Sequence, residues 1–168
     1  MKKYRYIVAV DNGTSGTLAV LDTEKDTSSF CKTPIFKESS YTKKPQNITR
    51  IDWAELVSNL PKSQNVLVVL ERPMVNPRMF SATQSALRSL ESTLIAVEYL
   101  GLDYIYMDSK EWQQEYLSSA LIGKEQMKKG SKEVAIKLYP NHRTKIEEHG
   151  DGDSLLMARY VMLKQEKK

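Results

Sequence analysis

The chain has 168 residues, of which 40% are hydrophobic and 27% charged, with 25 Lys and Arg against 21 Asp and Glu. This composition excludes a mostly disordered or fibrous protein, and the length suits one domain over residues 1–168. No apolar run is long enough to cross a bilayer, and the N-terminal apolar run is too short for a secretory signal. Cys31 is the single cysteine and has no internal disulfide partner, so we expect a reducing, cytoplasmic location.

The positive charge is concentrated in two segments. Residues 122–145 contain seven Lys and Arg against two Glu, and residues 32–50 contain five against one. The five in the second segment are Lys32, Lys37, Lys43, Lys44 and Arg50. Two basic segments on an otherwise acidic chain favour a polyanionic partner such as nucleic acid, although a solvated lysine-rich surface has the same composition.

In chain order, the first elements predict an antiparallel meander. Residues 4–10 form a β-branched and aromatic run typical of a buried strand, and residues 17–21 form a second. Residues 27–36 predict a weaker third strand. The polar residues 37–50 predict a loop.

Helices and strands alternate after this point. We predict a helix over 52–60, a wholly apolar central strand over 66–70 and a helix over 77–100 that Gly101 ends. The remaining predicted elements are a strand over 104–107, a helix with a capping box at Asp108–Glu111, a helix capped by Ser131 and ended by Pro140, and a last helix from 153 to 163. This order indicates an α/β fold with a mixed five-stranded sheet, antiparallel first and parallel later, flanked by helices. The ribonuclease H-like fold has this order.

Four carboxylates fall where such a sheet could bring them together. Asp11 ends the first strand, Glu71 ends the central strand, and Asp151 and Asp153 stand at the start of the last helix. A carboxylate at the end of a buried strand is costly to bury unless it is paired or binds metal. Oxygen-rich clusters suit Mg²⁺ or Mn²⁺, and two such ions can activate water for phosphodiester hydrolysis.

Each residue also has a simpler interpretation. Asp11 could be a turn residue, Glu71 could belong to a surface ion pair, and Asp153 could be only a helix cap. His149, beside the acidic turn, could be a surface or structural histidine.

Four motifs resemble those of RuvC-type Holliday junction endonucleases, in particular the compact forms that bacteriophages encode. They are IVAVDNG at 7–13, VVLERPM at 68–74, MDSKEWQ at 107–113 and HGDGDSLLMA at 149–158. The resemblance covers about residues 5–163. It implies a homodimer that cuts branched DNA in recombination and repair, in the host cytoplasm if a phage encodes it.

By this resemblance, Asp11, Glu71 and Asp153 bind two divalent ions, Mg²⁺ or Mn²⁺. The fourth ligand is open, because a glycine occupies the position where several cellular members carry an acid or histidine. We favour Asp151 as the ligand and His149 as a proton-transfer or leaving-group contact.

The resemblance also implies DNA contacts. Met74 stands where cellular members can carry a base-stacking Phe, so we expect it to wedge against a base step, with Arg72 beside it. The strongest candidates for phosphate contacts are the lysines Lys124, Lys128, Lys129 and Lys132.

We therefore expect a metal-dependent endonuclease for four-way and other branched DNA, without nucleotide or membrane partners. The apolar face of the 77–100 helix is the expected dimer interface. One alternative is another ribonuclease H-like nuclease, for flaps or RNA–DNA hybrids, and another is a non-enzymatic DNA-binding protein. Residues 11–17 also resemble the first phosphate-binding turn of sugar kinases and actin-like ATPases, which would make the chain a fragment of a phosphotransferase.

Overall fold

The computed structural model describes residues 3–41, 43 and 45–167, so Lys44 of the basic segment 32–50 lies outside it. The strands in the described part are β1 (Tyr6–Val10), β2 (Thr17–Asp22), β3 (Thr27–Lys32), β4 (Ile35–Ser39), β5 (Asn47–Ile51), β6 (Val66–Glu71) and β7 (Asp103–Met107). The helices are α1 (Trp53–Asn59), α2 (Phe80–Tyr99), α3 (Ser109–Tyr116), α4 (Lys124–Leu138), α5 (Arg143–His149) and α6 (Asp153–Glu166). None of the described helices is both long and apolar enough to span a membrane.

Five strands form one mixed sheet in the order β3-β2-β1-β6-β7. The β1–β2 and β2–β3 pairs are antiparallel, whereas β1–β6 and β6–β7 are parallel. This confirms the predicted fold class. Val10 is the register partner of Leu70, so the residues that follow them, Asp11 and Glu71, leave adjacent strands at the same edge.

The sheet is covered on both faces, which explains why its central strands are apolar throughout. On one face, Ile7 and Ala9 pack in a cluster with residues of α6, including Leu155. On the other face, Val8 packs with Val97 of α2 in a second cluster. Residues of α4 belong to the first cluster, and residues of α1 and α2 belong to the second. These helices therefore form two layers, one on each face of the sheet.

The predicted loop at 37–50 is wrong, because most of this segment forms a hairpin of β4 and β5. The predicted third strand, 27–36, is divided at Pro34, which has no backbone N–H to donate to a ladder. The hairpin is largely exposed, and its side chains therefore lack the apolar alternation that marks a half-buried strand.

The predicted cap at Ser131 is also wrong. Helix α4 begins at Lys124, and Ser131 lies buried in its middle. A Cβ at Gly130 would meet Leu121 Cδ1 at 2.6 Å, so glycine at this point of α4 leaves room for that leucine. Other predicted signals are confirmed: Asp108 and Glu111 form the capping box, and Gly101 follows α2 with a φ of 62°.

Candidate active site

The four predicted carboxylates line one cavity of about 570 Å³ at the edge of the sheet. Asp11 directly follows β1, Glu71 ends β6, Asp153 begins α6, and Asp151 precedes it by two residues. The carboxyl ends of neighbouring parallel strands thus meet the amino end of a helix, an arrangement that commonly positions functional groups in α/β proteins.

Two glycines hold these acids in place. A Cβ at Gly16 would lie 2.0 Å from the Asp11 carbonyl oxygen, so only glycine allows the chain to return this closely past β1. A Cβ at Gly152 would lie 2.3 Å from Ala135 Cβ, so glycine allows α4 to pack against the start of α6. At both positions a larger side chain would push the backbone away and, with it, the acids that line the cavity.

The Glu71 carboxyl group lies close enough to Asp11 to act on its pKa. Burial raises the pKa of Asp11 well above its ordinary value, and the carboxylates of Glu71, Asp153 and Asp151 raise that pKa further. The Ser109 hydroxyl donates to Glu71 Oε1 at 2.5 Å from the first turn of α3. Asp11 therefore has a strong tendency to retain a proton, and Glu71 has one hydroxyl donor from this helix.

Asp153 is in a similar situation. Burial raises its pKa to about 6, and the negative charges of Asp151 and Glu71 add to the shift. The Ser131 hydroxyl donates to Asp153 Oδ1, which partly offsets it. A buried carboxylate with one neutral donor and two acidic neighbours is short of positive charge.

Asp151 has the one nearby cation. Its Oδ1 accepts a hydrogen bond from Thr17 Oγ1 at 3.3 Å, and Lys128 Nζ lies 3.9 Å from Oδ2. Among the described residues, Lys128 is the one cation within ion-pair distance of any of the four acids. Burial nevertheless raises the pKa of Asp151 above its usual range.

The donor chemistry of this cluster fits a divalent metal. Mg²⁺ and Mn²⁺ prefer carboxylate oxygens, and a cation would neutralise buried acids that the protein leaves without sufficient positive charge. Within residues 3–41, 43 and 45–167, however, no three His, Cys, Asp or Glu side chains are arranged to hold a metal ion. The ligand set therefore stays a prediction.

The predicted phosphate contacts divide into two groups. Lys124 and Lys128 line the cavity from α4. Lys129 and Lys132 lie on the same helix outside the cavity lining, and Lys129 pairs with Glu133 at 4.0 Å. Two of the four lysines are thus placed to meet a phosphate near the acids.

The rim on the opposite side is formed by the segment after β6. Arg72 and Met74 line the cavity there, as does Met79. Arg72 Nε donates to Asp108 Oδ1 at 3.0 Å, so the ion pair of this segment joins Arg72 to Asp108. Met74 is 78% exposed, so it is available to a ligand.

His149 does not line the cavity. It lines a separate hollow with Lys32 and Lys145, and its ring centroid lies 5.6 Å from that of Phe30. Burial and nearby Lys32 lower the pKa of His149. His149 ends α5, two residues before Asp151, and Gly150 between them has a left-handed φ of 78°. The chain therefore turns between the two residues, which explains why neighbours in sequence line different hollows.

Several cavity residues were missed by sequence reasoning. Ser109 and Ser131 hold the carboxylates, but a serine is too common in helices for its role to be visible before its partner is known. Asn12 and Trp112 line the cavity, and their buried Oδ1 and Nε1 atoms make no hydrogen bond in the described part of the chain. The position of Asn12 directly after Asp11 was the one available signal.

No model of a known protein family matches this sequence, and no curated protein matches it. The fold is similar to that of RuvC from T. thermophilus in complex with a Holliday junction substrate, with a TM-score of 0.53 and 12% sequence identity. The match covers 96% of this chain and 98% of that chain. A second solved structure, Thermus thermophilus RuvC, has 11% identity and a TM-score of 0.47, over 94% of this chain and 97% of that one. At this identity the first match shows that the two proteins share a fold.

Proposed function

We propose that the protein is a metal-dependent endonuclease that hydrolyses phosphodiester bonds in branched DNA, including four-way junctions. The observation that carries this proposal is the cavity in which four carboxylates short of positive charge lie beside lysines of α4. The shared fold with a RuvC that was solved with a Holliday junction supports branched DNA as the substrate.

In this proposal, Asp11, Glu71, Asp151 and Asp153 hold two Mg²⁺ or Mn²⁺ ions. When bound, these ions would neutralise charge that develops on the reacting phosphate and make water more acidic. Ser109 keeps the Glu71 carboxylate oriented by its hydrogen bond. Ser131 does the same for Asp153 from the buried face of α4.

The lysines of α4 would place the DNA backbone. Lys124 and Lys128 line the cavity beside the acids, so a phosphate that they bind lies next to the carboxylates. Water would attack this phosphorus in line and leave a 5′-phosphate and a 3′-hydroxyl. Because each phosphate contact releases counterions, binding should weaken steeply with salt.

We further propose that the protein is a homodimer, because cutting two strands of a junction needs two sites. Part of the apolar face predicted for this role packs in the core instead, namely Leu90, Leu94 and Val97. Leu87 of the same predicted face is 45% exposed, and Phe80 and Ile95 are 71% and 42% exposed. These residues lie on one side of the helix, and we assign the interface to them. Replacing Leu87 and Ile95 with Glu should shift the mass in light scattering from dimer to monomer.

The decisive experiment offers the protein a four-way junction, a flap, a plain duplex and an RNA–DNA hybrid, each with Mg²⁺ or Mn²⁺. We expect cleavage of the four-way junction with 5′-phosphate ends and little cutting of the duplex. Glu71→Gln should bind the junction with unchanged affinity and fail to cut it. Cleavage of the hybrid or the flap alone would replace the proposed substrate with that of another ribonuclease H-like nuclease, and no cleavage of any substrate would overturn the proposal.

A further inference from the structure

The β4–β5 hairpin is a separate structure attached to the edge of the domain. Its five residue pairs span roughly 17 Å and form their own two-stranded sheet. The base is anchored, because Ile51 is 1% exposed within the core cluster of α1 and α2. Beyond the base the hairpin is mostly exposed, so it buries little and adds little to the core.

The hairpin segment makes one contact with α2, a helix that lines the cavity. Tyr41 lies next to the tip and is 74% exposed, and its hydroxyl accepts a hydrogen bond from Gln84 Nε2 at 2.9 Å. Gln84 lies on α2 directly after Thr83, which lines the cavity. This contact places the hairpin along the α2 side of the carboxylate cluster.

The described part of the hairpin carries three cations, Lys37, Lys43 and Arg50. Arg50 pairs with Glu38 at 2.7 Å, and its guanidinium carbon lies 5.4 Å from the centre of the Phe36 ring. Lys37 and Lys43 are exposed and make no ion pair with any described residue. Two ammonium groups are therefore available to an anionic partner.

These lysines lie outside the cavity lining, on the hairpin that Tyr41 joins to α2, whereas Lys124 and Lys128 line the cavity from α4. Helix α4 belongs to the layer on one face of the sheet, and α2 belongs to the layer on the other face. The cavity is lined by both helices. Lys124 and Lys128 thus lie beside the acids, while Lys37 and Lys43 belong to the hairpin that contacts α2, the helix on the other side of the cavity.

We propose that the hairpin binds the sugar–phosphate backbone of a second duplex arm while α4 holds the strand that is cut. This inference rests on the proposed function. A plain duplex follows one helix axis, so the lysines of α4 by themselves can bind its backbone. Branched DNA instead presents two arms that diverge from the cut site. Lys37 and Lys43 would neutralise phosphates of the second arm and so favour branched over linear DNA.

The test compares junction and duplex binding in the cleavage-defective Glu71→Gln background, by fluorescence anisotropy over a series of salt concentrations. We expect Lys37→Ala with Lys43→Ala to weaken junction binding about 10-fold and to make its log–log salt slope shallower by about two. Duplex affinity should stay within about two-fold of the parent. Lys25→Ala with Lys62→Ala is the matched control, because it removes two exposed lysines outside the hairpin and the cavity lining.

A second variant separates the position of the hairpin from its charge. Tyr41→Phe removes the hydrogen bond to Gln84 and leaves both lysines in place. It should weaken junction binding by a smaller factor and leave the salt slope unchanged, with an unchanged circular dichroism spectrum.

The outcomes distinguish the inference from the function on which it rests. If the parent protein does not prefer the junction over the duplex, the proposed function and the inference both fail. If the parent prefers the junction but the hairpin variant binds like the control pair, or loses junction and duplex affinity equally, the hairpin proposal alone is overturned.

Discussion

At the two edges of the central sheet, the pKa values of carboxyl groups are shifted in opposite directions. At the amino end of β1, Asp22 is 8% exposed and receives hydrogen bonds from Arg5 Nη2 at 3.0 Å and Nε at 3.3 Å. The backbone N–H groups of Glu24 and Lys25 also donate to it. Arg5 and, by a smaller amount, these backbone donors lower the pKa of Asp22 to about 2.

At the other edge, Asp153 has one hydroxyl donor and acidic neighbours, and its pKa is raised to about 6. Burial raises the pKa of both carboxyl groups and is the largest cause at Asp153, whereas at Asp22 the hydrogen bond from Arg5 outweighs it. The donors differ as well: the fold supplies a guanidinium and two backbone amides to Asp22 but a single hydroxyl to Asp153. We propose from this difference that Asp22 stabilises the fold, whereas Asp153 binds a ligand.

The largest expected effect is on cleavage. Asp153→Asn should lower the rate on the junction by on the order of 10³-fold, because metal-assisted charge stabilisation is worth several kcal/mol. Asp22→Asn should cut within a few-fold of the parent at a temperature where it is folded. Gel assays of junction cleavage measure the rates of both variants. An equal loss of rate in the two variants would show that the two edges do not differ in function.

The same pair should have opposite effects on stability in the presence of a chelator. At about pH 8, Asp153→Asn should raise the free energy of unfolding by up to about 3 kcal/mol, because it removes a buried charge whose pKa is shifted by about two units. Asp22→Asn should lower the free energy of unfolding, because it leaves Arg5 without its partner. Urea unfolding measures both signs, and stabilisation by Asp22→Asn would contradict the assignment.

Divalent metal should stabilise the protein through the cavity alone. With Mg²⁺ at about 100 times its dissociation constant, the parent should gain about 2.7 kcal/mol, seen as a higher melting temperature. Asp22→Asn should gain as much and Asp153→Asn distinctly less. A gain that is equal in all three proteins would place the metal elsewhere.

A smaller effect is expected at the hydroxyl that holds Asp153. Ser131→Ala should raise the Mg²⁺ concentration needed for half-maximal cleavage about 10-fold, since loss of a group that orients a metal ligand commonly costs 10- to 100-fold. Ser89→Ala is the control, because Ser89 is also buried in a helix but does not line the cavity. Equal shifts in both variants would make Ser131 merely a core residue.

The smallest effect is a pH dependence at the Asp22 edge. The folded pKa of Asp22, about 2, lies below its unfolded value, so its contribution to stability is present above about pH 4 and is lost as pH falls toward 2. The stability difference between the parent and Asp22→Asn should therefore shrink over this range. A difference that stays constant would show that the ion pair does not stabilise the fold.

Much of the fold could be predicted from the sequence, because its central strands and helix ends have strong apolar and turn patterns. The apolar run 66–70 is buried on both faces, and the turn signals at Asp108 and Gly101 act within a few residues of themselves. The hairpin at 35–51 was missed because its side chains face solvent and therefore carry no periodic apolar signal. Ser131 was misplaced because its partner, Asp153, is distant in sequence.

By itself, the sequence determined the mixed sheet and the four acids at its edge, since strand ends and helix starts are local features and parallel pairing brings them to one side. Only the tertiary structure decided which neighbours those acids have. It placed Ser109 and Ser131 against two of them, gave Lys128 to Asp151 and turned His149 toward Phe30. Donors and charges act through space over a few ångströms, and such distances between remote residues exist only once the sheet and its two helical layers have packed.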